Sequence, residues 1–104
     1  MKEKLVRDNI PEIIKSSGTE PTTRIASDEE FLTLIRDKLK EETQELIQAT
    51  KKEDILEEIC DVLEVLSVIS SSTGINTEEL FKRADVKRKA NGSFTKKVVL
   101  QIKE

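Results

Sequence analysis

Apolar side chains recur at helical spacing through the middle of the chain. Phe31, Ile35, Leu39, Leu46 and Ala49 follow a helical period to about Thr50. Ser27, with Glu30 three residues later, forms a capping box ahead of them, the hydroxyl accepting a hydrogen bond from the otherwise unpaired Glu30 amide. After a short polar break, TKKED at 50–54, a second helical run extends from about Asp54 to Ser71 on Ile55, Leu56, Ile59, Val62, Leu63, Leu66 and Ile69, and Gly74 supplies its stop. A connection this short predicts antiparallel neighbours. Asn76 and Glu79 predict a further capping box, opening a short basic helix through Leu80, Phe81 and Ala84 towards Ala90, where NGS ends it.

The flanks are read differently. IPEIIKSSG predicts one or two helical turns after Pro11, and TEPTTRIAS a loop. Phe94, Val98, Leu100 and Ile102 occupy alternate positions, which predicts a terminal strand with KLVRD at 4–8 as its partner. The expected architecture is a single domain over residues 1–104. It is all-α, an antiparallel helical hairpin with short terminal strands.

Acids interrupt this pattern. At about 100° per residue, Glu42 falls within about 20° of the centre of the first long helix's apolar stripe, near Ile35, where packing asks for leucine. Glu45 lies about 60° farther round, close to Lys38, and Glu41 points more nearly to solvent. On the second long helix Glu58 flanks the stripe, and Asp61 continues on the side later occupied by Val65 and Val68. In a hairpin folded about the midpoint of Lys51 and Lys52, Glu42 stands opposite Asp61, and Glu45 opposite Glu58. Unpaired carboxylates this close repel and lose hydration, at a cost of several kcal/mol unless they are neutralised. A divalent cation removes that cost. Ligation by carboxylate oxygens suits Mg²⁺, with Mn²⁺ as a substitute, whereas zinc is disfavoured by a chain with no His and one Cys.

Composition adds a constraint on assembly. With 36% hydrophobic and 38% charged residues and three aromatics, a 104-residue chain can bury only a thin core. A lone hairpin is expected to leave Val65 and Val68 exposed beside the main stripe, so a homodimer or dimer of dimers, forming a four-helix arrangement, is expected. The net charge of −3 names no partner. Its distribution is uneven: acids prevail from Asp28 to Glu64, whereas Lys82, Arg83, Lys87, Arg88, Lys89, Lys96 and Lys97 stand against Asp85 near the end. That basic run is read as a solvated face rather than a nucleic-acid patch. Cys60 is expected to be a small, partly buried apolar residue in a reducing cytoplasm, and no segment has signal-peptide or membrane-spanning character.

EETQE at 41–45 and EICD at 58–61 resemble the EExxE and ExxD signature of the MazG-like all-α nucleoside triphosphate pyrophosphohydrolases. KLVRDNIPEII near the start and KRKANGSF near the end resemble the terminal motifs of the phosphoribosyl-ATP pyrophosphohydrolase-like branch. The 12 residues from Leu46 to Glu57 form a short spacer for this pattern, leaving little room for a specificity loop. The resemblance implies Mg²⁺ ligands at Glu42, Glu45, Glu58 and Asp61, and phosphate contacts at Lys38, Lys87 and Arg88. It implies hydrolysis of a nucleoside triphosphate to the monophosphate and pyrophosphate, in the clearing of unwanted nucleotides from the pool. Without His, either Glu41 or Glu45 is the base, or hydroxide on the metal acts directly. A phosphoribosyl-ATP pyrophosphohydrolase of histidine biosynthesis and a noncatalytic helical interaction module stand as the alternatives.

Overall fold

The computed structural model describes residues 2–103 and contains helices α1 (Ile10–Ser16), α2 (Asp28–Gln48), α3 (Lys52–Ser72) and α4 (Thr77–Asn91). Among the described residues there is no strand, so the fold is all-α. The chain divides into two compact units, Met1–Ile69 and Ser70–Glu104.

The first unit contains α1, α2 and most of α3. Ser27 accepts from the Glu30 amide at 3.1 Å, and Asp28, Glu29 and Glu30 place negative charge at the positive end of the α2 dipole. Ala49 leaves the helix in extended backbone, and α3 begins at Lys52 rather than the expected Asp54. Lys52 and Glu53 have good helix propensity, so the reversal needs only residues 49–51. α1 carries Pro11 in its first turn, where the missing N–H costs nothing, and ends where Gly18 adopts φ +98°. Arg24 then ties the chain's start to the α2 N-terminus. Its guanidinium donates to Glu3 at 3.0 and 2.9 Å and to Glu30 at 2.8 and 2.6 Å, holding both carboxyls below their ordinary range.

The core is thin, as the composition requires. Among the described residues, Ile35 on α2 and Val65 on α3 are the buried hydrophobic ones, with Glu42 and Ser70 as buried polar ones. Val65 and Val68 therefore correct the sequence expectation: Val65 is buried and Val68 half-buried, lining one cavity with residues of the N-terminal segment and α1. The apolar run of α3 wraps too far round the helix for a single neighbour. Its outer part, Leu56, Ile59, Leu63 and Leu66, is left about half exposed, at 44–57%. Cys60, expected to be partly buried, lies on this outer face and is exposed.

In the second unit, the α3 C-terminus closes through Gly74 at φ +81°, with Ile75 N–H donating to Ser70 O at 2.9 Å and Gly74 N–H to Ser71 O at 3.1 Å. A side chain at Gly74 would make that left-handed turn costly. Asn76 caps α4, its side chain accepting from the Glu79 amide at 2.8 Å, and Arg88 and Lys89 occupy the last turn. Among the described residues neither the terminal segment nor KLVRD at 4–8 forms the expected strand. Lys97 adopts φ +59°, which turns the backbone out of the β region in the middle of the alternating run. Lys4 and Arg7 instead reach acids of α2 and α3.

Candidate metal and nucleotide site

The short reversal places acids of α2 and α3 at the same height. Glu42, Glu58 and Asp61 each contribute a carboxylate oxygen to a set whose members all lie within 4.8 Å of one another. Glu58 and Asp61 share a side of α3 because they are three residues apart, and Glu42 meets them from the apolar stripe of α2. Glu45 stands outside this set and is exposed, but its charge still reaches Glu42.

Glu42 is the most constrained of these acids, only 7% exposed. Its Oε1 lies 3.4 Å from Lys38 Nζ, while its Oε2 is buried without a hydrogen-bond partner, as is Glu58 Oε2. Burial, then the Glu45 charge, raises the Glu42 pKa, with Asp61 adding to the rise and Lys38 opposing it. A buried carboxylate oxygen without a donor costs a large part of its hydration energy. Two such atoms beside a cluster of acids form an oxygen-rich site that a hard divalent cation satisfies better than further hydrogen bonds can. The donor set therefore fits Mg²⁺ or Mn²⁺.

Basic residues surround the cluster. Lys38 is shared between Glu42 and Glu41, lying 3.6 Å from the latter, and Lys4 approaches Glu41 at 3.9 Å. Asp61 Oδ1 accepts from Arg7 Nη2 at 2.8 Å. Neither Lys4 nor Arg7 was assigned a role from sequence, where their segment reads as a strand. The available signal was charge balance: acids packed this closely require counter-cations. Lys87 and Arg88, named through the resemblance, are exposed on α4 in the second unit, with Arg88 3.6 Å from Asp85.

Residues 6–90 match the phosphoribosyl-ATP pyrophosphohydrolase family. The chain belongs to that family. The matched span contains Arg7, Lys38 and every acid of the cluster, and it ends before the exposed terminal segment. An uncharacterized protein of Mycolicibacterium smegmatis is 45% identical over 53 residues, covering 51% of this chain and 54% of that protein. The chain thus spans about half the length of the curated relative it matches. No solved structure matches it. No helix is long and apolar enough to cross a membrane among the described residues.

Proposed function

We propose that this protein hydrolyses a nucleoside triphosphate to the nucleoside monophosphate and pyrophosphate in a Mg²⁺-dependent reaction. The observation that carries this reading is the pair of unpartnered carboxylate oxygens, on Glu42 and Glu58, within a three-acid cluster in a chain of this family. Glu42, Glu58 and Asp61 hold the cation, and Glu45 completes the ligand set implied by the motif. Bound there, Mg²⁺ supplies charge neutralisation for the phosphates and acidifies water. Lys38 sits where it can meet a phosphate while pairing with Glu41 and Glu42. With no His in the chain, a carboxylate takes the proton of the attacking water. Glu41 and Glu45 are the candidates for that role, Glu41 lying 3.9 Å from Lys4 and 3.6 Å from Lys38. The exposed outer face of α3 is the surface on which a second copy packs, giving a homodimer or dimer of dimers.

Phosphoribosyl-ATP is the second reading of the substrate, favoured by the family match. The same carboxylates serve either nucleotide. A panel of canonical and modified nucleoside triphosphates plus phosphoribosyl-ATP, with Mg²⁺ or Mn²⁺, tests both. Pyrophosphate release from at least one nucleoside triphosphate is expected. Turnover of phosphoribosyl-ATP alone moves the protein to the second reading. Orthophosphate as the sole product, or no turnover of any nucleotide, overturns both in favour of other chemistry or of a noncatalytic interaction module.

A further inference from the structure

A cavity of about 490 Å³ opens against the carboxylate cluster, within the volume range of small-molecule sites. Leu5, Ile10, Phe31 and Val65 contribute apolar wall, while Glu42 and Asp61 stand in the lining and Arg7 and Asn9 add polar groups. One side of this cavity is therefore built by the segment preceding α1, which the helical hairpin alone does not supply. Arg24 anchors the segment through Glu3, independently of the ion pair that Arg7 makes with Asp61.

Arg7 and Lys38 both neutralise acids of the cluster, but they are held differently. The Lys38 side chain is 17% exposed and divided between Glu41 and Glu42. The Arg7 side chain is 56% exposed and forms an ion pair with Asp61 Oδ1. An exposed ion pair is worth little, so the guanidinium leaves Asp61 at small cost. A cation taken up by Asp61 would also place positive charge beside it, repelling Arg7. The planar guanidinium then has a better partner in a phosphate, which it can bind through two parallel hydrogen bonds.

We propose that Arg7 is a substrate-binding residue that exchanges Asp61 for a phosphate of the nucleotide, and that this exchange couples cation binding at the carboxylates to nucleotide binding in the adjoining cavity. The inference rests on the metal and triphosphate reading of the site. In the cation-free protein Arg7 occupies Asp61. With cation and triphosphate present it bridges to the phosphates, so each ligand favours binding of the other, as linkage requires.

The test is calorimetric titration of the full chain, parent, Arg7→Gln and Arg7→Lys, with Mg²⁺ alone and with tripolyphosphate in the presence and absence of Mg²⁺. Tripolyphosphate probes the phosphate contacts independently of the base. The parent is expected to bind tripolyphosphate more tightly with Mg²⁺ than without. Arg7→Gln is expected to keep its Mg²⁺ affinity, or gain up to about fivefold as the competing ion pair is lost. Its affinity for tripolyphosphate with Mg²⁺ should fall about tenfold or more, the loss expected for a hydrogen bond to a charged group. Arg7→Lys should recover part of that loss. Unchanged anion affinity in Arg7→Gln overturns the inference. Equal loss of Mg²⁺ and anion affinity, accompanied by a lower melting temperature, also overturns it, by making Arg7 a structural tie. If the parent binds both ligands and only the Arg7 result fails, the functional reading survives. If the parent binds neither, both fail.

Discussion

The inner and outer faces of α3 reverse the usual distribution of residues. The inner face carries Glu58 and Asp61 toward α2, in a neighbourhood that includes buried Glu42, while the outer face leaves Leu56, Ile59, Leu63 and Leu66 about half exposed. A helix selected only to stabilise this chain would place leucine inside and acid outside. The two departures have different remedies. Acids on the inner face need positive charge, which Lys38 and Arg7 supply in part; the apolar outer face needs another apolar surface. The structure thus separates a surface read as binding a ligand from one read as binding a second copy.

The largest expected effect comes from breaking the inner face. Glu58→Gln keeps the side-chain volume but removes one charged oxygen donor from the cluster. Turnover should fall roughly 100-fold or more, since even residues supporting a ligand from behind cost about 10–100-fold. Steady-state pyrophosphate release at saturating nucleotide measures it, and parent-like activity would remove Glu58 from the ligand set.

Breaking the outer face should affect assembly first. Leu63→Glu puts a charge in the exposed stripe, and sedimentation velocity at micromolar concentration should show the parent as an oligomer and the variant shifted to monomer. Placing an unpaired charge in an apolar contact costs several kcal/mol, enough for a dissociation constant higher by about 100-fold or more. A monomeric, fully active parent would show that the outer face needs no second copy.

The pH dependence sharpens the contrast with a smaller effect. Burial and the neighbouring Glu45 charge raise Glu42 above the ordinary carboxyl value of 4.5. The native state then binds more protons at this position than the unfolded chain does, so the Glu42 contribution to stability is fully present below about 4.5 and is lost as pH rises to the native value. Denaturant melts in EDTA from about pH 4 to 7 should show this falling contribution in the parent, and Glu42→Gln, which does not ionise, should lack it. Identical pH slopes would mean that Lys38 fully offsets the burial.

Much of the hairpin was legible because local signals and apolar periodicity agreed. Ser27 and Asn76 formed the caps their sequences announced, and both long helices formed within two residues of their expected ends. Glu42 was legible for the opposite reason, as an acid where the period demanded leucine. The terminal strand failed because alternation near Phe94 says nothing about the left-handed backbone at Lys97 or about a pairing partner. Val65 and Val68 differ from the expectation because they line a cavity together with the segment before α1, residues distant in sequence. Arg7 was missed for the same reason: its partner Asp61 is 54 residues away, and no period within one helix reveals that pair.

The central claim is that Glu42 occupies the apolar stripe in order to hold a cation, and parallel thermal melts of the parent and Glu42→Gln, each in EDTA and in Mg²⁺, test it most directly. In EDTA the variant should melt at the parent temperature or above, because a repelling charge is removed and Lys38 retains Glu41 as a partner. Mg²⁺ should raise the parent's melting temperature much more than the variant's, since a ligand stabilises the native state in proportion to its preference for it. A variant that melts lower in EDTA yet gains as much from Mg²⁺ as the parent would contradict the account, and would make Glu42 a structural partner of Lys38.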